Sequence, residues 1–307
     1  MSGKGAQISW VCAYFILLGC CHLPIGLHGQ GHYWWADNVE WDGVTHWSEY
    51  IVYGPNFLGP NAMPVPSFST GKIEKNHAFT AGIQGHFNKG DQTQNLRIEG
   101  TYVMLKDKVS FDFDWVPLEF FQVSHEMKTR RRTFHTFYDA SKATGDFYVN
   151  TNIQVLRRKG FALAARLGYK FPISNMQGAA RFTDSPGYYA NVSSFVNLQP
   201  SNETNGFGLV GMLGFYAWQT NLDEQFQNDA LLAGIGLRHE GIHWDFEGHL
   251  RGYWGYLNIG DQPVVAEIQM DYKMKKIGVS LALTRGLQDF PFTSLMLSAT
   301  HFMAPRQ

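Results

Sequence analysis

The stretch GIHWDFEGHLRGYW, residues 241–254, decides the fold class because apolar and polar side chains alternate along it. Successive side chains of a β-strand point to opposite faces of the sheet, so a period of two residues predicts a strand with two unlike faces. The apolar face consists of Ile242, Trp244, Phe246, Gly248, Leu250, Gly252 and Trp254. The opposite face is polar and consists of His243, Asp245, Glu247, His249 and Arg251.

About twelve segments show this alternation, which predicts an all-β chain of about twelve strands. The predicted strands lie near residues 77–88, 93–105, 108–122, 146–157, 160–172, 187–198, 207–219, 229–240, 242–256, 263–274, 276–286 and 292–302. Short connections (106–108, 157–160, 240–241, 274–276) alternate with long ones (123–145, 173–186, 220–228, 257–262). Two connections depart from this rhythm, since 199–206 is not short and 88–92 is not long. Such a rhythm is typical of a transmembrane barrel.

The position of the charges separates a membrane barrel from a soluble β-protein, in which side chains also alternate. A soluble sheet turns its charges toward water and closes its apolar face into a core. Here a broad apolar face, rich in glycine and aromatic residues, recurs in every segment. The segments, of about 11–14 residues, also reach or exceed the 9–11 that cross a bilayer. We therefore expect side chains such as Phe111, Leu163 and Trp244 to face lipid, with a soluble β-protein as the alternative.

With this architecture, residues 77–302 resemble bacterial (Gram-negative) outer-membrane β-barrel proteins. The resemblance implies an antiparallel up-and-down transmembrane barrel in the cell outer membrane, in contact with its lipid and with lipopolysaccharide. It implies that both chain termini lie on the periplasmic side. Barrels of this size include nucleoside and acidic-sugar channels, a phospholipase and a lipid A deacylase. The sequence departs from the barrel pattern after Phe302, where a tail, residues 303–307, follows the last aromatic residue.

The resemblance leaves three functions open. The first is a porin-like channel or transporter for a small hydrophilic solute. The second is a non-conducting barrel that serves as an anchor or as a subunit of a surface or secretion complex. The third, a lipid-modifying enzyme at the barrel rim, is disfavoured because no nucleophile is paired with a base in the sequence. We expect no enzyme activity and no cofactor.

The polar faces of the predicted strands supply the candidate pore-lining residues. These are His243, Asp245, Glu247, His249, Arg251, Glu267, Asp271, Arg97, Glu99, Asp112, Asp114 and Arg166. Charges inside a barrel require partners or water. They therefore form either a ladder of ion pairs that fills the lumen or a constriction that selects solutes by charge.

The N-terminal residues 1–29 have the layout of a secretory signal, with Lys4 ahead of an apolar run. Cys20 at the end of LLGC (17–20) offers lipoprotein processing as an alternative. All three cysteines, Cys12, Cys20 and Cys21, lie in this leader. A mature chain that begins near residue 30 therefore contains no disulfide.

Residues 30–76 are predicted to lie outside the barrel wall, because proline removes the donors that an inner strand needs. The segment contains Trp34, Trp35, Trp41 and Trp47, followed by Pro55, Pro60, Pro64 and Pro66. We expect it to enter from the periplasmic side. It then either folds into the lumen as a plug that gates or narrows the channel, or docks its tryptophans on a periplasmic partner protein.

The longest predicted loop contains Arg130, Arg131 and Arg132, a surface candidate for binding phosphate or carboxylate. The formal net charge of −1 gives no field that attracts nucleic acid. HEGIH, residues 239–243, matches a zinc-protease motif but lies between two alternating runs, so we expect a hairpin turn and no metal site. GFGLVG, residues 206–211, matches a dinucleotide-binding motif but is predicted to be a strand.

Overall fold

The computed structural model describes residues 33–134, 140–199 and 206–304. The predicted leader, 1–29, with its three cysteines, lies outside the described residues, as do 305–307 of the predicted tail. These residues include two short α-helices, α1 (Tyr33–Val39) and α2 (His125–Arg130), with 3₁₀ turns at Trp47–Tyr50 and Gln177–Ala179. Among the described residues, none of the helices has the length and apolar character needed to traverse a bilayer.

The described chain also contains thirteen strands. They are β1 (His77–Asn88), β2 (Asp91–Leu105), β3 (Val109–Val123), β4 (Ala140–Ala143), β5 (Phe147–Arg158), β6 (Phe161–Phe171), β7 (Gly187–Asn197), β8 (Gly206–Leu222), β9 (Gln225–Glu240), β10 (Trp244–Gly255), β11 (Val264–Lys273), β12 (Ile277–Gln288) and β13 (Thr293–Met303).

The strands form one closed antiparallel barrel. Strands that are neighbours in the chain pair with each other, except β4 and β5, and β13 pairs with β1, so that Gly82 lies opposite Ser298. β4 and β5 pair with successive parts of β3, with Glu119 opposite Ala143 and Phe113 opposite Val149. They therefore act as one strand, and the barrel has twelve positions. This confirms the predicted fold class and strand number.

One connection differs from the prediction. Residues 220–228, expected to form a long loop, belong mostly to β8 and β9, which are joined by residues 223–224 alone. HEGIH lies where β9 ends and β10 begins, and GFGLVG lies in β8, both as expected. We call the end of the barrel that contains His77 the short-turn end, and the opposite end the long-loop end.

A bulge in β3 inverts the alternation of its side chains. Ile98 of β2 pairs with Trp115, whereas Leu96 pairs with Leu118, so β3 contains one extra residue at this point. Even-numbered residues such as Asp112 face the lumen before the bulge. After it Glu119 and Phe121 face inward, with Glu119 fully buried. Phe121 therefore belongs to the interior and not to an aromatic belt in the membrane.

The outer surface of the barrel is apolar, and the inner surface is polar in the half toward the short-turn end. On β12 and β9, for example, Leu283 and Ile235 are exposed on the outside by 47% and 56%. Trp244 is exposed by 43% and the next residue, Asp245, by 6%, as expected for outward and inward positions of one strand. An apolar outer face matched to lipid is the property that a transmembrane barrel requires.

Candidate functional site

The lumen is occupied by the N-terminal segment. Residues 51–73, which we call the plug, pass from the long-loop end toward the short-turn end and continue into β1. Its apolar side chains are buried, with exposures of 2% at Ile51, 0% at Leu58, 2% at Met63 and 6% at Ile73. The plug contributes no strand to the barrel, as the prolines predict.

Residues 33–50 lie at the long-loop end, opposite to the periplasmic entry that the sequence suggested. The Trp35 indole N–H donates to the carbonyl of Arg132 (3.1 Å), and the Asn38 amide donates to the carbonyl of Thr129 (3.0 Å). Both acceptors belong to the segment that follows β3. Asn221, at the far end of β8, donates to the carbonyl of Ile51 (2.9 Å). The chain therefore crosses the whole lumen before it starts β1.

The tryptophans of the N-terminal segment contact other residues of the protein. Trp35 is 2% exposed and makes edge contacts with Tyr50 and Phe134, at centroid distances of 5.4 and 5.1 Å. Trp34 lies 4.8 Å from His125, and Trp47 stacks on Phe134. Trp41 remains 42% exposed. The prolines lie in the plug, where Pro55, Pro60 and Pro66 are buried and Pro64 is half-buried.

The long-loop half of the lumen is a dry core. Leu58, Ala62 and Met63 of the plug join Tyr216, Trp218, Leu232 and Tyr253 of the wall and Phe182 and Phe292 of the loops in one apolar cluster. The Tyr253 hydroxyl donates to the carbonyl of Met63 (3.1 Å). Gly59 donates its backbone N–H to Ala180 (2.9 Å), in the long loop that follows β6. This half of the lumen is closed by apolar packing, a departure from the polar lumen predicted throughout.

A buried ion cluster joins the loops to the wall beside this core. Arg181 contacts Asp91 at 2.7 Å and Glu119 at 2.8 Å, and Arg131 contacts Asp91 at 2.5 Å. All four side chains are 0% exposed. Asn61 of the plug donates to Glu119 at 2.6 Å, so the plug is bonded to the cluster. Two carboxylates face two guanidinium groups, which leaves the cluster neutral and makes its burial tolerable.

The three arginines of the long loop therefore differ in burial and in their partners. Arg131 is fully buried in the ion cluster, which contradicts its assignment as a surface ligand residue. It turns inward because α2 packs over the mouth of the barrel and places its C-terminal end toward Asp91. Arg130 donates to Asn56 of the plug at 2.9 Å, and Arg132 is exposed.

Polar contacts hold the plug near the short-turn end. The Ser69 and Ser193 hydroxyls are 2.9 Å apart, and Gly71 donates its N–H to Ser193 at 3.1 Å. Lys72 contacts Glu240 at 2.6 Å and lies 3.5 Å above the Phe195 ring. Burial lowers the pKa of Lys72, and the Glu240 carboxylate acts in the opposite direction.

Beside the plug lies a polar cavity of about 750 Å³. Its wall extends from Lys273 and Lys275 at the short-turn end to His86 and Ser294 near the dry core. Eight carboxylates line it: Glu74, Glu99, Asp112, Asp114, Asp245, Glu247, Glu267 and Asp271. Five cations line it: Arg97, Arg238, Arg251, Lys273 and Lys275. With histidines neutral, the balance is 5 − 8 = −3, so the cavity is acidic.

The charges on β9–β11 form a ladder. Arg238 contacts Glu247 at 2.7 Å, Lys273 contacts Asp245 at 2.7 Å, and Arg251 contacts Glu267 at 3.0 Å. On the opposite wall, Arg97 pairs with Asp114 and Arg166 pairs with Asp112. His249 stacks on Phe68 of the plug at a centroid distance of 4.5 Å.

The structure brings ten of the twelve candidate pore residues to this cavity. Arg166 lies behind the lining, where it donates to Ser67 of the plug and to Asn152. His243 is exposed in the turn before β10, at the barrel rim, because the strand starts two residues later than expected. Sequence reasoning missed Glu74, which lies between the plug and β1 and follows no strand pattern. Among the described residues, no cluster of His, Asp and Glu has the arrangement of a metal site.

No protein-family model matches the chain, and no curated protein matches it. Among solved structures, an outer membrane channel from Pseudomonas putida F1 has a TM-score of 0.55 and 10% identity, and the match covers 79% of this chain and 100% of that one. The NanC porin (TM-score 0.47, 8% identity) and the KdgM porin in complex with disordered oligogalacturonate (TM-score 0.43, 8% identity) each match over 72% of this chain and 98% of their own.

The likeness to the Pseudomonas structure shows the fold, which is that of outer-membrane β-barrels. The closed barrel, its apolar outer face and its charged interior agree with that fold. This chain has the fold of an outer-membrane β-barrel, and its apolar outer face agrees with a position in a membrane.

Proposed function

We propose that the protein is an outer-membrane channel for a small hydrophilic solute, and that the plug closes it in the conformation described above. The observation that carries this proposal is the charged cavity of about 750 Å³, which ends at the dry core formed by the plug. A barrel that served only as an anchor has no need of a wide charged interior. The similar fold of the Pseudomonas putida channel supports the same function.

The acidic balance of the cavity favours neutral or cationic solutes over anions. Charged rings in a low-dielectric wall select by sign, and a net charge of −3 attracts cations. Passage requires the plug to move, because the apolar core blocks the long-loop half of the lumen. The polar contacts of the plug at its short-turn end, such as Ser69 with Ser193, are weaker restraints than the buried core.

A disulfide bond that reversibly fixes the plug to the barrel wall tests this proposal. The two hydroxyl oxygens of Ser69 and Ser193 are 2.9 Å apart, close enough for the double variant Ser69→Cys/Ser193→Cys to form a disulfide of about 2.05 Å. Cys12, Cys20 and Cys21 are replaced by serine so that no other thiol remains. In planar bilayers we expect the oxidised protein to stay closed and the reduced protein to open, with the single variant Ser69→Cys as control.

Deletion of residues 33–73 is a second test of the proposal, beside the disulfide, and should give a permanently open channel. The proposal is abandoned when reduced, oxidised and deleted proteins, each shown to be folded, all lack conductance in bilayers and all fail to swell liposomes.

A second candidate function is display of the N-terminal region on the cell surface, which the path of the chain favours. Barrels of this class have short periplasmic turns and longer outer loops, which places residues 33–50 outside the cell. Val44 in this region is 88% exposed. In intact cells, Val44→Cys should react with a maleimide carried on a large polyethylene glycol chain. Lys106→Cys, in the turn after β2, should react only after the outer membrane is opened. The reverse pattern excludes display.

A further inference from the structure

A second pocket at the short-turn end has the opposite charge to the main cavity. It has a volume of about 460 Å³ and lies where the β5–β6 turn meets the end of the plug. Five cations line it: Lys72, Lys75, Arg157, Arg158 and Lys159. Glu240 is the one carboxylate in its lining, so the balance is 5 − 1 = +4. The end of the plug thus separates an acidic cavity from a basic pocket.

The single carboxylate of the pocket already forms an ion pair with one of its lysines. Glu240 contacts Lys72 at 2.6 Å. Arg157 reaches Asp107, outside the pocket, only at 4.0 Å. Within the described part of the chain, Lys75 and Arg158 have no ion pair, and both are exposed. Lys75 and Arg158 therefore leave two positive charges at the pocket that no carboxylate of the described residues compensates.

The floor of the pocket belongs to the barrel interior. Ala162 and Phe195, 1% and 4% exposed, are inward-facing residues of β6 and β7. Lipid contacts the opposite face of these strands. Arg157 lies opposite Ala162 on this inward face, whereas Arg158 lies opposite Phe161 at the end of the strand. The pocket thus lies at the mouth of the barrel, and its inward-facing floor favours a dissolved ligand over a lipid headgroup. Its volume lies within the roughly 300–1,000 Å³ of small-molecule sites.

We propose that this basic pocket binds a small dissolved polyanion that carries phosphate or carboxylate groups. Arg158 offers the planar guanidinium donors that suit such oxyanions, and the lysines supply further charge. Because Lys72 and Lys75 belong to the N-terminal segment and Arg158 to the wall, the bound anion bridges the two. It therefore holds the end of the plug against the barrel, since a ligand stabilises the conformation to which it binds. The binding itself does not depend on the proposed channel function.

The test uses the full chain in detergent micelles, with sodium pyrophosphate as the probe and isothermal titration calorimetry as the measurement. We expect saturable binding that weakens as sodium chloride is added. The double variant Lys75→Gln/Arg158→Gln should bind at least about tenfold more weakly, because it loses two charged contacts. The control variant Lys89→Gln/Lys276→Gln removes the same charge from two exposed turn residues outside both pockets and should bind as the parent does.

Hydrogen exchange provides the second readout. Pyrophosphate should slow exchange of the backbone amides of residues 69–75 in the parent and not in the Lys75→Gln/Arg158→Gln variant. The proposal is overturned by absence of binding, by equal weakening in the control variant, or by unchanged exchange in the plug. Repetition in phosphatidylcholine vesicles with and without phosphatidylglycerol separates the two sources of phosphate. Displacement of pyrophosphate by phosphatidylglycerol would assign the pocket to lipid and overturn the proposal.

Discussion

Replacement of Arg181 should destabilise the barrel more than replacement of any surface charge. The Arg181 guanidinium joins Asp91, Glu119 and Thr93, at 2.7, 2.8 and 2.8 Å, and lies 4.5 Å from the Phe121 ring. Arg181→Met fills a similar volume but supplies no charge. The cluster then holds two carboxylates and the single cation of Arg131, all without contact with solvent.

The magnitude follows from this burial. Removal of one partner from a buried ion pair costs about 3–5 kcal/mol, because the remaining charge is left without solvation. The matched control is Asp107→Asn. It breaks the Arg157–Asp107 pair, which is 4.0 Å long with 34% and 47% exposed side chains, and exposed pairs contribute about 0–1 kcal/mol. Asparagine also tolerates the positive φ of 59° at this position.

The assay is urea unfolding in lipid vesicles, followed by tryptophan fluorescence. We expect a loss of about 3–5 kcal/mol for Arg181→Met and less than about 1 kcal/mol for Asp107→Asn. The double variant Arg181→Met/Glu119→Gln should be less destabilised than Arg181→Met, because it removes the uncompensated carboxylate. Equal losses in Arg181→Met and Asp107→Asn would refute the reasoning, since they would mean that water reaches the cluster.

Three further predictions concern the wall and the plug. Leu283→Arg, in the middle of β12 on the lipid face, should lower the free energy of unfolding in vesicles by about 2–4 kcal/mol. Thr284→Arg, at the neighbouring lumen-facing position, should lower it less. The opposite ranking would contradict the assigned faces. Gly71→Ala should loosen the plug and speed its proteolysis. Gly71 has a φ of +73°, and a Cβ there would lie 2.7 Å from the Ser194 carbonyl carbon. An unchanged rate of proteolysis argues against this close approach. Tyr253→Phe leaves a buried plug carbonyl without its donor and should lower the free energy of unfolding by about 1–3 kcal/mol, whereas an unaltered value would indicate that water replaces the hydroxyl.

The functional residues were predictable to the extent that they follow strand periodicity. Asp245, Glu247 and Arg251 were expected to face the lumen from their alternation alone, and they line the cavity. The inward position of Phe121 and the burial of Arg131 have local causes that the pattern does not contain. The first follows an extra residue in β3, which inverts the faces, and the second lies in a loop that folds inward. A bulge and a loop conformation both depend on what the neighbouring strands contact.

The amino-acid sequence by itself determined the class of this protein. Alternation along stretches such as residues 241–254 is a local property, because each side chain's face depends only on its parity within the strand. The path of the plug was decided by the tertiary structure. Leu58 and Met63 are buried by Tyr216, Leu232 and Tyr253, residues more than a hundred positions away in the chain. Prolines exclude the plug from the sheet, but only the closed barrel forms the lumen in which the plug lies. Closure of the barrel also brings together the acidic cavity and the basic pocket on either side of the end of the plug.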